Sequence, residues 1–188
     1  ARAALTREDW ATAASHAASA RANYTLMNNA QYANGGFNAP NKEWIWSVYS
    51  NAQETLHYFQ FFAFQGSNSN AAAARNYPCA ISKALYDSIP TTDVRRAMFL
   101  NPDTMTFNTS SGLAGKWMTA YAKRVYKKKL YSTSRIYAYM QFKMQAVVNP
   151  GVGEFCLFRA AEMYLTEAEA DCHLGKEAEA QALLVALN

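Results

Sequence analysis

Tyr49, Tyr58 and Trp117 are the side chains of this sequence best placed to do chemistry at a surface. Ser50-Asn51 follow Tyr49, and Lys116 precedes Trp117 in a stretch punctuated by glycine. Aromatic rings beside such hydrogen-bonding groups suit ligands with apolar C–H faces and hydroxyl edges, as sugars have. Packing in or near a core is the alternative role for each ring. Trp44 and Trp46 alternate with Val48 on one face of an extended run and are expected in the core. Trp10 is expected to pack helix on helix.

Other chemistries find less support. Fourteen carboxylates are present, but no two are singled out as the flanking acid pair that glycoside cleavage needs. Glu167 and Asp171 read as a solvated pair on one helix face. Arg159 and Glu162 stand three apart, which predicts a local ion pair or a tie to a neighbouring loop. Asp93, Arg95 and Arg96 read as capping and surface-pairing groups, with Arg96 able to reach a ligand. His16, His57 and His173 are isolated and lack partners at zinc spacing, so no metal and no cofactor is expected. No nucleotide-binding glycine loop or nucleophile elbow occurs. Lys123-Arg124 and Lys127-Lys128-Lys129, interleaved with Tyr121, Tyr126 and Tyr131, form one basic aromatic run. Snorkelling lysines on a solvated edge explain it better than phosphate contacts, so nucleic acid is not an expected partner.

The composition carries a core: 51% of the 188 residues are hydrophobic and 14% aromatic, with only 17% charged. A net charge of +4 is too small to demand a polyanionic partner. Three cysteines make no disulfide framework. Cys156 and Cys172, read on one helix, would lie roughly 24 Å apart along its axis. A disulfide needs Cα atoms within about 7 Å.

The positioning elements are mostly helical. Phe158, Ala161, Leu165, Ala168 and Cys172 recur at spacings of three and four, predicting a helix from about Phe155 to Leu174. Gly175 is the expected left-handed stop. A second helix from about Glu177 carries Ala180, Leu183, Leu184 and Leu187. Together they match a tetratricopeptide-type hairpin in length. At the other end, residues 1–5 read as the tail of a helix, Thr6–Asp9 as a capping turn, and Trp10, Ala13, Ala17 and Ala20 as one helical face. These ends read as halves of stacked hairpins cut from a larger protein. They are expected to pack on the centre, on each other or on a second chain.

Between them, residues 28–41 read as loop and residues 43–49 as a strand. Tyr58–Phe64 reads as strand or extended chain and residues 66–70 as polar loop. Residues 81–87 and 93–100 read as short helices, the second capped by Thr92 or Asp93, and residues 104–115 as loop. The alternation Ile136, Ala138, Met140, Phe142, Met144 predicts a strand over 135–148. Asn149-Pro150-Gly151 should turn the chain into the last helix. The expected architecture is mainly α: helical hairpins flanking an irregular centre with a few short strands. Residues 1–26 form a repeat helix, 27–153 the centre and 154–188 the C-terminal hairpin.

Arg159-Ala160-Ala161-Glu162-Met163-Tyr164-Leu165, followed by Glu167-Ala168-Glu169-Ala170 and Leu174-Gly175-Lys176, resembles the C-terminal repeat of the SusD/RagB family. Asn41–Trp46 and Ile89–Arg96 match in the family's order, and the resemblance spans essentially the whole chain. It implies a non-catalytic, surface-exposed outer-membrane lipoprotein of the polysaccharide-utilisation type. Such a protein binds an oligosaccharide and hands it to a TonB-dependent outer-membrane transporter. Family members are much longer and carry a lipid-bearing Cys that has no counterpart here. No ligand-contacting residue carries over by motif. A scaffold for peptides or protein partners, and a glycoside hydrolase, are the alternatives.

Overall fold

A computed structural model describes residues 1–33, 35–51, 53, 61–67, 69, 71–72, 80–100, 138–146 and 151–187. Its chain forms two compact units. One comprises Ala1–Met27, Pro40–Val48 and Cys156–Asn188, the other Asn28–Ala39 and Tyr49–Phe155. Among the described residues the structure is mainly helical, with one two-stranded sheet.

The first unit is built on helices. Helix α1 (Arg2–Thr6) turns through Glu8, at φ 58°, into α2 (Trp10–Arg21). The Asp9 side chain caps α2 by accepting the Thr12 N–H at 3.2 Å. Ala13 and Ala17 are fully buried, and their small side chains let α2 lie close against α6 (Ala160–His173). Ala4, Ala13 and Ala170 share one buried cluster with Leu5, Trp10 and Ala14 around it. Helix α7 (Glu177–Ala186) returns along α6, held by Ala168, Ala180, Leu183 and Tyr164. Gly175 sits at φ +71° in a Schellman turn: its N–H donates to Cys172 O, and the Lys176 N–H to Asp171 O at 2.9 Å. Helix α6 thus takes α2 on one side and α7 on another.

The stripe read from spacing is partly corrected. Residues 153–159 form strand β2 (Gly153–Arg159), not the first turns of a helix. The run Phe155-Cys156-Leu157-Phe158 fits either period, and pairing with β1 (Trp44–Ser50) decides it. Ala160 N–H donates to Glu43 O at 2.9 Å, while the Cys156 thiol lies 3.7 Å from Trp46 O, so the strands run antiparallel. Helix α6 buries Ala160, Met163, Thr166, Ala168, Ala170 and Asp171, because α2 and α7 cover it on two sides. Leu165 and Cys172 are exposed, as is Leu184 on α7. Cys156 and Cys172 are free thiols on different elements. Trp44 is buried as expected, but Trp46 is 58% and Val48 49% exposed. What packs over this face of β1 covers Trp44 and leaves Trp46 and Val48 exposed.

In the second unit, α3 (Asn29–Ala33) interrupts the stretch read as loop. Asn28 Oδ1 accepts the Gln31 N–H at 2.8 Å and Gln31 Oε1 the Asn28 N–H at 3.1 Å, a reciprocal cap. Phe61–Gln65 is helix α4 rather than strand, its Phe62 and Ala63 buried against Gly151 and Gly153. Helix α5 (Lys83–Ser88) is capped by Ser82, and a 3₁₀ turn over Val94–Met98 by Asp93, as expected for these segments. Residues 138–146 do not continue as a strand. Met140, Phe142 and Ala146 are buried. However, Tyr139 adopts φ 58°, and Met140 and Gln141 make single bridges to Ala80 and Phe99. Gln141 and Gln145 side chains bond to nearby backbone there, taking groups a ladder would use. Gly151 lies in a turn that leads into β2, not directly into the last helix.

Candidate ligand-binding surface

Among the described residues, helix α6 and its flanks carry four ion pairs, none of them the pairing expected from spacing alone. Arg159, just ahead of α6, puts its guanidinium 3.3 Å from the carboxylate of Glu43, which is 3% exposed. The other Glu43 oxygen accepts the Met27 N–H at 2.8 Å. Glu162 binds Arg2 through both carboxylate oxygens, and Arg2 also donates to Leu157 O at 2.9 Å. Glu167 grips Arg21, with Nη2 to Oε1 at 3.0 Å, and that guanidinium lies 4.4 Å from the Tyr164 ring centre. Asp171, 6% exposed, is 3.6 Å from Lys176 Nζ. The hydrogen bonds to Glu162 and Glu167 hold the Arg2 and Arg21 guanidinia above their ordinary pKa. Arg159 and Glu162 therefore serve tertiary contacts rather than each other, and Glu167 and Asp171 are not a solvated pair. An extended backbone at Arg159 aims its side chain at β1 instead of along the helix.

The sequence-predicted contacts divide. Tyr49, near the end of β1, is 59% exposed, as a ligand platform needs. Tyr58, Trp117 and the basic run over 121–131 lie outside the described residues, as does Cys79. Trp10 stacks on His173 at 3.9 Å between ring centres, fulfilling its packing role. Asp93 caps the 3₁₀ turn and pairs with Arg95, whose hydrogen bonds push the carboxyl below its usual range. Arg96 donates to Tyr86 O at 3.2 Å and lies over that ring, so it serves the fold.

One ring departs from its expected core placement. Trp46 stands exposed and lies nearly parallel to Phe158, 11° between planes and 5.8 Å between centres. Arg2 caps the Phe158 ring at 4.1 Å. Alternation along β1 groups Trp46 with Trp44 and cannot reveal that only Trp44 is buried. Nearby, burial pushes the Cys156 thiol up to about 11. A groove of about 660 Å³ also opens between α2, α6 and α7, lined by Ala14, Ala18, Arg21, Glu167 and Leu183. No cluster of three metal-ligating side chains occurs among the described residues, and none of their helices is long and apolar enough to cross a membrane.

The sequence profile of the SusD family matches residues 8–187, nearly the full chain. The chain belongs to the SusD family. Among solved structures it is similar to a SusD-like carbohydrate-binding protein from Bacteroides vulgatus. The TM-score is 0.62 at 23% identity, over 99% of this chain and 34% of that one. At that identity the likeness carries the fold, and the chain spans about a third of the length of its structural relative. No curated protein sequence matches it. Arg159, at the end of β2, and Glu162, in the first turn of α6, fasten the start of the helix to Glu43 and Arg2.

Proposed function

We propose that this SusD-family chain is part of a surface subunit that captures an oligosaccharide and passes it to a TonB-dependent outer-membrane transporter, without cleaving it. The observation that carries the reading is the family match over residues 8–187. The structural relative's carbohydrate-binding description and the exposed ring of Tyr49 add support. Tyr49, Tyr58 and Trp117 are the proposed contacts: rings stack on the C–H face of a pyranose, while neighbouring amide and ammonium groups meet its hydroxyls. The non-catalytic reading is supported by the commitment of Glu43, Glu162, Glu167 and Asp171 to cations. An outer-membrane, surface-exposed location follows from the same family reading. Gel electrophoresis through a panel of plant, algal and host polysaccharides tests it. Retardation by at least one, with no sugar released on long incubation, is expected. Unretarded migration through the whole panel, or sustained release of sugars, sinks it.

A second reading, a scaffold for peptides, is favoured by the groove between α2, α6 and α7. It predicts binding to an extended or helical peptide and migration unaffected by any polysaccharide.

A further inference from the structure

Two amide side chains of the second unit are sealed inside it and only half satisfied. Asn38 is 3% and Gln145 4% exposed, and both belong to that one unit. Asn38 Oδ1 accepts the Gln145 N–H at 2.7 Å, and Gln145 Nε2 donates to Phe142 O at 2.8 Å. These bonds fix which end of each carboxamide is oxygen and which is nitrogen. What remains is one donor, Asn38 Nδ2, and one acceptor, Gln145 Oε1. Both atoms are buried, and among the described residues neither has a hydrogen-bond partner.

An unpaired polar atom inside a protein is costly, and native folds resolve it with a protein group or an ordered water. A direct bond between the two leftovers would draw on amides already held. Turning the Asn38 amide gives up the Gln145 N–H, and turning the Gln145 amide gives up Phe142 O. The leftover pair also selects the chemistry of what joins it. A cation would face the N–H of Asn38, and an anion would face the oxygen of Gln145. A molecule that accepts from the first and donates to the second satisfies both. Neither atom reaches solvent, which restricts that molecule to the size of water. We infer that a buried water bridges Asn38 Nδ2 and Gln145 Oε1 and is a fixed part of the fold. It fastens the turn carrying Phe37 to the segment over residues 141–146. That turn offers Asn38 from a firm base. Phe37 is buried, lies under Lys143 Nζ at 4.3 Å and meets Tyr32 edge to face, and the Asn38 N–H donates to Gly35 O. The site is independent of glycan capture and stands whether or not the protein binds a sugar.

A high-resolution crystal structure of the protein tests it. The expected result is a density peak about 2.7–3.2 Å from both Asn38 Nδ2 and Gln145 Oε1. In solution, NMR cross-relaxation should show transfer to the Asn38 side-chain amide protons from a water that stays longer than the protein tumbles. Gln145→Met keeps the length of the side chain but removes the acceptor, and it should abolish that transfer with circular dichroism unchanged. If this variant does not fold, the density and the transfer in the unsubstituted protein decide the matter. A direct bond between the two amides overturns the water, as does a peak that reaches only one of them. Coordination distances of a metal ion at the peak, or transfer that persists in folded Gln145→Met, overturn it equally.

Discussion

The guanidinium of Arg159 lies 3.3 Å from the carboxylate of Glu43, a residue 3% exposed at the head of β1. Glu43 ties three parts of its unit together: its side chain takes the Met27 N–H, and its carbonyl takes the first N–H of α6. Removing Arg159 strands a buried charge, and Arg159→Met should cost about 2–3 kcal/mol. Glu43→Gln keeps an acceptor for Met27 and should cost less. The double variant should fall well short of additivity in urea unfolding. Additive losses would mean the pair is not coupled.

Glycine positions should separate two kinds of cost. Gly175 needs its φ of +71° but has open space where an added methyl would sit, so Gly175→Ala should cost about 1 kcal/mol from backbone strain alone. At Gly151 a Cβ would sit 2.6 Å from Ala63 N, and Gly151→Ala should cost about 2–3 kcal/mol through overpacking. Thermal melts giving the reverse order would contradict this packing.

Cys156 should resist alkylation while Cys172 reacts. The thiolate is the nucleophile, so a thiol held near 11 is roughly one part in a thousand ionised at pH 8. Site-resolved mass spectrometry after iodoacetamide treatment should show Cys172 modified first and Cys156 only after unfolding. The folded state binds this proton more tightly than the unfolded chain, whose thiol titrates near 9.0. The resulting stability is present below that pH and lost as pH rises toward 11. Equal labelling rates in the native protein would refute the burial of this thiol.

The hydrogen bonds from Arg95 hold the Asp93 carboxyl below 3.8. Its contribution to stability is therefore present above that value and fades as pH falls through the depressed folded value. In an NMR titration Arg95→Ala should move the Asp93 midpoint upward. An unmoved midpoint would leave the cap without its charge partner.

Local chemistry is the legible part of this sequence. Gly175, Asp9 and Asp93 announce a stop and two caps because each acts on neighbours within a turn, and the structure has all three. The small residues of α2 are equally readable as a packing face. What escapes depends on distant partners. Phe155–Phe158 fits both periods until β1 supplies its ladder, and Arg159 pairs with Glu43 across 116 positions rather than with Glu162. Alternation assigns Trp46 to the core with Trp44, yet the packing over that face of β1 reaches Trp44 and not Trp46. For the proposed site, Tyr49 is legible as a polar-flanked ring at a strand end, and the structure exposes it.

Isothermal titration calorimetry with the oligosaccharide of the most strongly retarding polysaccharide tests glycan capture most directly. Saturable binding is expected, weakened by Tyr49→Ala without loss of fold, and the recovered sugar should be intact. Absence of heat from every retained glycan, or recovery of shortened products, would contradict a non-catalytic capture role.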